Sequence, residues 1–357
     1  MGPPPRWMIY GANGFTGRLV AHEAARRGLS PILAGRSREA VAPLAGALGM
    51  EARVFGLESA EEVARHLEGV ALVLHCAGPF SRTQRPMLGG CLGVGAHYLD
   101  ITGEYAALEA LRGHGPGAGR AGIVAVSGVG FDVVPTDAVA ADLARALPTA
   151  TRLRLAFRAG TVSRGTALTM VEGAGEGGTS RQGGLLVREP PAARTWRVEH
   201  EGVTYAAVSI PWGDLVTAYS STGIPTVETY LALPPAAALV MRAGRVAAPL
   251  LRSGAVRRVL KRGAERARGP GEAEMREGRT VVWGEVTDRA GRRVSAKLLA
   301  PEAYRFTVLS ALAAVERVLG GGVPAGAWTP SQAFGVPFAT ALPGIELHSG
   351  AVTDPTT

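Results

Sequence analysis

The run Gly11-Ala12-Asn13-Gly14-Phe15-Thr16-Gly17 is the first place in the chain where residue type and spacing point to chemistry. Glycines at this spacing let the chain turn tightly, let a pyrophosphate approach the backbone, and let the following helix pack close to a sheet. The phosphates would sit at the helix N-terminus, where free N–H groups and the helix dipole favour negative charge. Thr16 could add a hydroxyl. About 20 residues further on, an NAD site usually has an acidic residue that accepts from the ribose 2′-OH. This chain has Ala34-Gly35-Arg36-Ser37-Arg38 instead. Arg36, assisted by Ser37 and Arg38, can form a charge-assisted pair with a 2′-phosphate that a carboxylate would repel. The spacing therefore predicts NADP(H).

A cofactor turn of this kind needs a strand before it and a helix after it. Apolar, strand-like runs occur at Trp7–Gly11, Pro31–Gly35, Glu51–Phe55, Val70–Cys76, His97–Asp100 and Gly122–Ser127, with helical patterns between them. Such alternation predicts an α/β fold, a Rossmann-type doubly wound parallel sheet, over residues 1–147. After Pro148 the pattern becomes partial alternation with hairpin signals at Glu201-Gly202 and Asp288–Gly291. Residues 148–300 are expected to form a second α+β domain with a mostly antiparallel sheet, for substrate binding and dimerisation. A helix over Ala303–Leu319 and an irregular tail, together residues 301–357, are expected to return to the first domain.

Composition removes several function classes. The 357 residues are 46% hydrophobic, enough for a sizeable core, and Cys76 and Cys91 cannot make a disulfide framework. With no secretory signal apparent at the N-terminus, a cytoplasmic setting is expected. Lys261 and Lys297 are the only lysines, and neither follows a glycine, so no Walker-type phosphate loop is present. No Tyr-x-x-x-Lys relay, Gly-x-Ser-x-Gly elbow or His-Glu-x-x-His metal helix occurs either, and the dispersed histidines predict no metal site. The net charge of +8 equals that of one segment, Arg242–Arg268, which has nine basic residues and a single acid, Glu265. One basic stretch in an otherwise neutral chain argues against nucleic acid. Within residues 239–268, Leu239-Val240-Met241 and the helically spaced Val256, Val259 and Leu260 make the segment partly amphipathic. That pattern suits weak peripheral membrane contact or docking on an acidic acyl carrier, and equally a solvated insertion.

Three further segments complete a pattern: His75-Cys76-Ala77-Gly78-Pro79-Phe80, His97-Tyr98-Leu99-Asp100-Ile101-Thr102-Gly103-Glu104, and Gly128-Val129-Gly130-Phe131-Asp132-Val133-Val134-Pro135-Thr136-Asp137. With the glycine turn and the Arg36 segment, in this order, they resemble the saccharopine dehydrogenase-like oxidoreductase family, and within it the branch of trans-acting enoyl reductases. The resemblance extends through Val281–Asp288 and Trp328–Gly335 to Leu342-Pro343-Gly344. It implies that Cys76-Ala77-Gly78-Pro79-Phe80 lines the nicotinamide-ribose side, that Gly130-Phe131-Asp132 borders the nicotinamide, and that Gly165–Gly178 is a glycine-rich opening to the substrate domain. It also implies an NADPH-dependent oxidoreductase, a homodimer, and a small or carrier-linked lipid-like enoyl substrate. The alternatives are a saccharopine-type imine reductase, with Arg152, Arg154, Arg158, Arg164 and Arg181 available for substrate carboxylates, and a non-catalytic NADP(H)-binding protein. No catalytic signature stands out. Tyr98, Cys76 and His75 are the groups near the expected crevice that carry a transferable proton, and ordinary packing accounts better for each.

Overall fold

The computed structural model describes residues 5–158, 160–173, 177–244 and 253–354. In chain order the first elements are β1 (Trp7–Tyr10), α1 (Phe15–Arg26), β2 (Ile32–Gly35), α2 (Arg38–Leu48), β3 (Ala52–Val54), α3 (Ala60–His66), β4 (Leu72–His75), α4 (Phe80–Val94), β5 (His97–Asp100), α5 (Tyr105–Gly113), α6 (Gly115–Arg120) and β6 (Val124–Val126). Then follow α7 (Val134–Ala146), β7 (Ala150–Arg158), α8 (Arg164–Gly173), β8 (Gly178–Gln182), β9 (Leu185–Glu189), β10 (Thr195–His200), β11 (Val203–Ser209), α9 (Asp214–Thr222), β12 (Thr226–Leu233) and α10 (Pro235–Ala243). The chain closes with α11 (Gly254–Ala264), α12 (Glu272–Glu277), β13 (Arg279–Asp288), β14 (Arg293–Pro301), α13 (Ala303–Leu319), β15 (Gly326–Trp328), α14 (Pro330–Phe334), α15 (Val336–Thr340) and β16 (Glu346–Ser349).

The first compact unit comprises residues 1–134 and 304–335. Its seven strands lie in the order β15-β6-β5-β4-β1-β2-β3, and every neighbouring pair is parallel. β1, β2 and β4 are buried along their whole length. Strands covered on both faces are written as continuous apolar runs, which is why they could be read directly from the sequence. Strand order reverses at β1, with β2 on one side and β4 on the other. In open α/β sheets, ligands bind outside the carboxyl ends of the strands at such a switch point.

The second unit comprises residues 135–303 and 336–357. Its sheet runs β10-β11-β12-β7-β13-β14-β16, with the β8–β9 hairpin attached to β12. Among the described residues of this unit, only β12 and β7 pair in parallel. Glu201 and Gly202, both at positive φ, make the two-residue turn between β10 and β11, the geometry that matches strand twist. Gly291, at φ +83°, closes the β13–β14 turn, where the Asp288 carboxylate accepts from the Arg292 backbone and guanidinium.

Three boundaries differ from the sequence reading. The division falls at 134/135 rather than 147, because α7 packs on the second sheet: a Cβ at Gly284 would lie 2.4 Å from Val139 and 2.7 Å from Leu143. Residues 304–335 return to the first unit, but 336–357 join the second, where β16 pairs with β14. The glycine-rich stretch from Gly165 is helix α8 as far as Gly173, and residues 174–176 lie outside the described residues. In the basic segment, residues 245–252, with Arg252, Leu250-Leu251 and Pro249, also lie outside them. Among the described residues no helix is long and apolar enough to cross a membrane.

The close approach at Gly284 gives a direct test. Gly284→Ala should lower unfolding stability by about 1–3 kcal/mol, since neither Val139 nor Leu143 can withdraw without moving α7. The measurement is the urea midpoint, and an unchanged midpoint contradicts this packing.

Candidate functional site

The β1–α1 turn has room only for glycine at two points. Gly11 sits at φ +83°, and a Cβ there would lie 2.8 Å from the Ala77 Cβ and backbone nitrogen. A Cβ at Gly17 would lie 2.2 Å from the Gly11 carbonyl oxygen. Helix α1 therefore starts flush against the turn, and its N-cap, the exposed Gly14, provides no side-chain cap. This bare, dipole-positive helix end beside a turn with glycine at 11 and 14 fits a dinucleotide pyrophosphate. Ala12 is buried, and Asn13, Phe15 and Thr16 are half-buried around the turn. Asn13 Oδ1 would be 2.9 Å from a Cβ at Gly35, so the first two strand ends are in close contact. Arg36 and Arg38 are exposed directly after β2. The Ser37 hydroxyl donates to Glu39 Oε2 at 2.9 Å.

Across the switch point, the loop after β4 is pinned from behind. Thr83 Oγ1 donates to the Ala77 carbonyl at 2.7 Å, and the Phe80 and Ser81 N–H groups each donate to the Glu104 carboxylate at 2.8 Å. The N-terminus of α4 is thus already paired with an anion from the chain itself. Gly78 is exposed, Ala77 and Pro79 are half-buried, and Phe80 is buried edge-on to His75.

The loop after β6 rests on α13. Phe131 N–H donates to Thr307 Oγ1 at 3.0 Å, the Phe131 ring meets Phe306 edge-on, and a Cβ at Gly130 would lie 2.9 Å from Thr307 Cγ2. Asp132 is half-buried and leans on Gly103, where a Cβ would lie 2.8 Å from Asp132 Oδ2. Burial, and after it the neighbouring Glu104 charge, push the Asp132 carboxyl up to about 7.

The three proton-bearing candidates are placed differently. Tyr98 is fully buried, and its hydroxyl donates to Asp100 Oδ2 at 2.8 Å. Burial and the adjacent Asp100 charge hold that phenol well above its ordinary range. His75 is also fully buried, with Nε2 3.0 Å from Thr83 Oγ1. Because the Thr83 hydroxyl proton is directed to carbonyls, His75 Nε2–H donates to it. Nδ1 has no partner among the described residues, and burial pushes the imidazole down to about 3. Cys76 is half-buried, its thiol pushed up to about 12 by burial and by Asp100. Sequence spacing did not single out the proximity of Asp132 and Glu104 as a carboxylate pair. The neighbouring positions of β5 and β6 create it.

His75 also makes stability depend on pH. Its folded value, about 3, lies below the ordinary 6.5, so between these limits the unfolded chain binds a proton that the folded chain does not. Its contribution is fully present above pH 6.5 and is lost as pH falls toward 3. Urea midpoints in that window should give a slope of up to about 1.4 kcal/mol per pH unit from this one group. His75→Gln should remove that part of the slope, and a variant with an unaltered slope contradicts the assignment.

Residues 7–126 match the family model described as the saccharopine dehydrogenase NADP binding domain. The chain is similar to a trans-acting enoyl reductase of Mycobacterium leprae, 34% identical over 138 residues that cover 36% of this chain and 33% of that protein. It is also similar to the human saccharopine dehydrogenase-like oxidoreductase, 30% identical over 158 residues, covering 38% and 36%. These matches span about a third of each relative's length. The saccharopine dehydrogenase (L-Glu forming) of Saccharomyces cerevisiae shares the fold over 97% of this chain and all of that one, with a TM-score of 0.66 at 12% identity. The glycine turn and the bare α1 terminus suit the pyrophosphate of a dinucleotide, and the family match makes that a nicotinamide dinucleotide of the NADP type. This family match covers residues 7–126, about a third of the chain.

Proposed function

We propose that the protein is an NADPH-dependent oxidoreductase that reduces an enoyl group conjugated to a carbonyl. The observation that carries the cofactor half is the bare α1 N-terminus with Arg36 exposed at the end of the next strand. NADPH, when bound, supplies the hydride. Arg36, Ser37 and Arg38 hold the 2′-phosphate, and the small residues Ala77 and Gly78 let backbone groups approach the cofactor. Asp132 is our choice of proton source: it stands at a strand end in the loop after β6, beside Glu104, and exchanges its proton near neutral pH. The tethered hydroxyl of Tyr98 and the enclosed imidazole of His75 suit a structural role better.

Relatives of the cofactor domain bear both the enoyl reductase and the saccharopine dehydrogenase-like names, so one observation favours an enoyl over an imine substrate. The arginines that could hold substrate carboxylates are largely engaged within the second unit. Arg152 pairs with Glu228, Arg154 with Glu285, and Arg181 with the Leu215 and Gly184 carbonyls, while Arg158 stacks over Tyr205.

An enoyl thioester, free or carrier-linked, should drive NADPH oxidation measurable by absorbance. Turnover only with amino acid plus keto acid pairs would establish the imine chemistry instead. Arg36→Asp should weaken NADPH binding roughly 10–100-fold, the loss of one charge-assisted pair, with little effect on NADH. Asp132→Asn should lower kcat by about 10²–10⁴-fold with NADPH affinity kept. In the parent protein, the rate should fall as pH rises through about 7, where Asp132 loses its proton. A pH profile that is flat there excludes Asp132 as the acid.

A further inference from the structure

Three large apolar side chains are exposed on the two helices that flank residues 244–253. Leu239 and Val240 on α10 are 68% and 72% exposed, and Val259 on α11 is 66% exposed. Each helix is fixed by another side. On α10, buried Ala238 and, one turn on, Met241 pack with Ala192 and Val208. This leaves Leu239 and Val240 turned away from the packed stripe. On α11, which lies against α8, Val256 and Leu260 are half-buried and Ala264 is buried. Val259 is turned outward, between the exposed Arg258 and Arg262. The same stretch, Arg242–Arg268, carries nine basic residues and one acid, a net charge equal to that of the whole chain.

We propose that α10 and α11 dock the protein on an anionic lipid surface. Leu239, Val240 and Val259 enter the boundary between headgroups and acyl chains, and the surrounding arginines pair with headgroup phosphates. Charge complementarity selects the anionic surface, and the aliphatic residues distinguish lipid from nucleic acid, whose bases stack on aromatic rather than aliphatic side chains. The inference stands on exposure and charge and does not depend on the reaction proposed above.

The experiment is vesicle flotation of the full chain with phosphatidylcholine vesicles, with and without phosphatidylglycerol. NADPH binding, followed by fluorescence, is the control for folding. The protein should float with the anionic vesicles only, and binding should weaken as the Debye length falls from about 10 Å at 0.1 M salt to about 3 Å at 1 M. Leu239→Ser with Val240→Ser, and separately Arg258→Ser with Arg262→Ser, should each reduce binding markedly while leaving NADPH affinity unchanged. Three outcomes overturn the proposal: no flotation even at low salt, equal flotation with neutral vesicles, or anionic binding unaltered in the Leu239/Val240 variant. Capture by an acidic acyl carrier protein without flotation overturns it as well and assigns the surface to a protein partner.

Discussion

A carboxylate with no solvent exposure persists in a protein only where donors replace the water it has lost, and Asp100 has five. It accepts from Tyr98 Oη, Gln84 Nε2 and Ser127 Oγ, and from the Thr102 and Gly128 N–H groups. Burial raises its pKa, and the hydrogen bonds oppose that rise. These donors come from β5, from α4, and from the segments after β5 and β6, so one side chain ties together the loops that open at this end of the sheet. Glu104 and Thr83 extend the same logic to the loop after β4. The positions of Ala77–Phe80 and Gly130–Asp132 follow from this buried polar network rather than from hydrophobic packing alone. Removing the Asp100 carboxylate would leave several donors orphaned at once, which is costlier than losing one bond.

In the second unit, charged side chains on one face of the sheet are paired within the strands' own register. Arg154 lies opposite Glu228 on one neighbouring strand and Glu285 on the other, pairs with Glu285, and stacks over Trp196. Arg152 and Tyr230 both reach Glu228. Trp283 on β13 donates from its indole N–H to the Glu199 carbonyl on β10, four places away in strand order. The sheet therefore curls until its β10 edge lies over β13, and the aromatic cluster of Trp196, Tyr205, Tyr230 and Trp283 fills the curl. Arginines that look available for a substrate in the sequence are part of this construction.

The readable parts of the chain are those whose causes are local. The glycine turn, Arg36 after β2 and the doubly covered strands each leave their mark within a few neighbouring residues. The unread parts depend on distant partners. β8, with the polar sequence Gly-Thr-Ser-Arg-Gln, is a strand because β9 and β12 accept it, although Gly183-Gly184 between β8 and β9 was a usable hairpin signal. β15 and β16 are three and four residues long and exist only through β6 and β14. The same holds at the candidate site. Residue type alone makes Tyr98 and His75 look reactive, and it takes Asp100, Thr83 and their burial to show how both are held. The closeness of Asp132 and Glu104 likewise has no trace in their spacing of 28 positions.

Glu104 has an effect that reaches past its own helix. Two helices, α1 and α4, begin at the carboxyl ends of adjacent strands, and both project a positive dipole end. With Glu104 seated on the Phe80 and Ser81 N–H groups, α4 repels a phosphate, while α1 remains open to one. The chain's own carboxylate thereby makes this end of the sheet asymmetric, with one helix end closed to an anion and its neighbour left open.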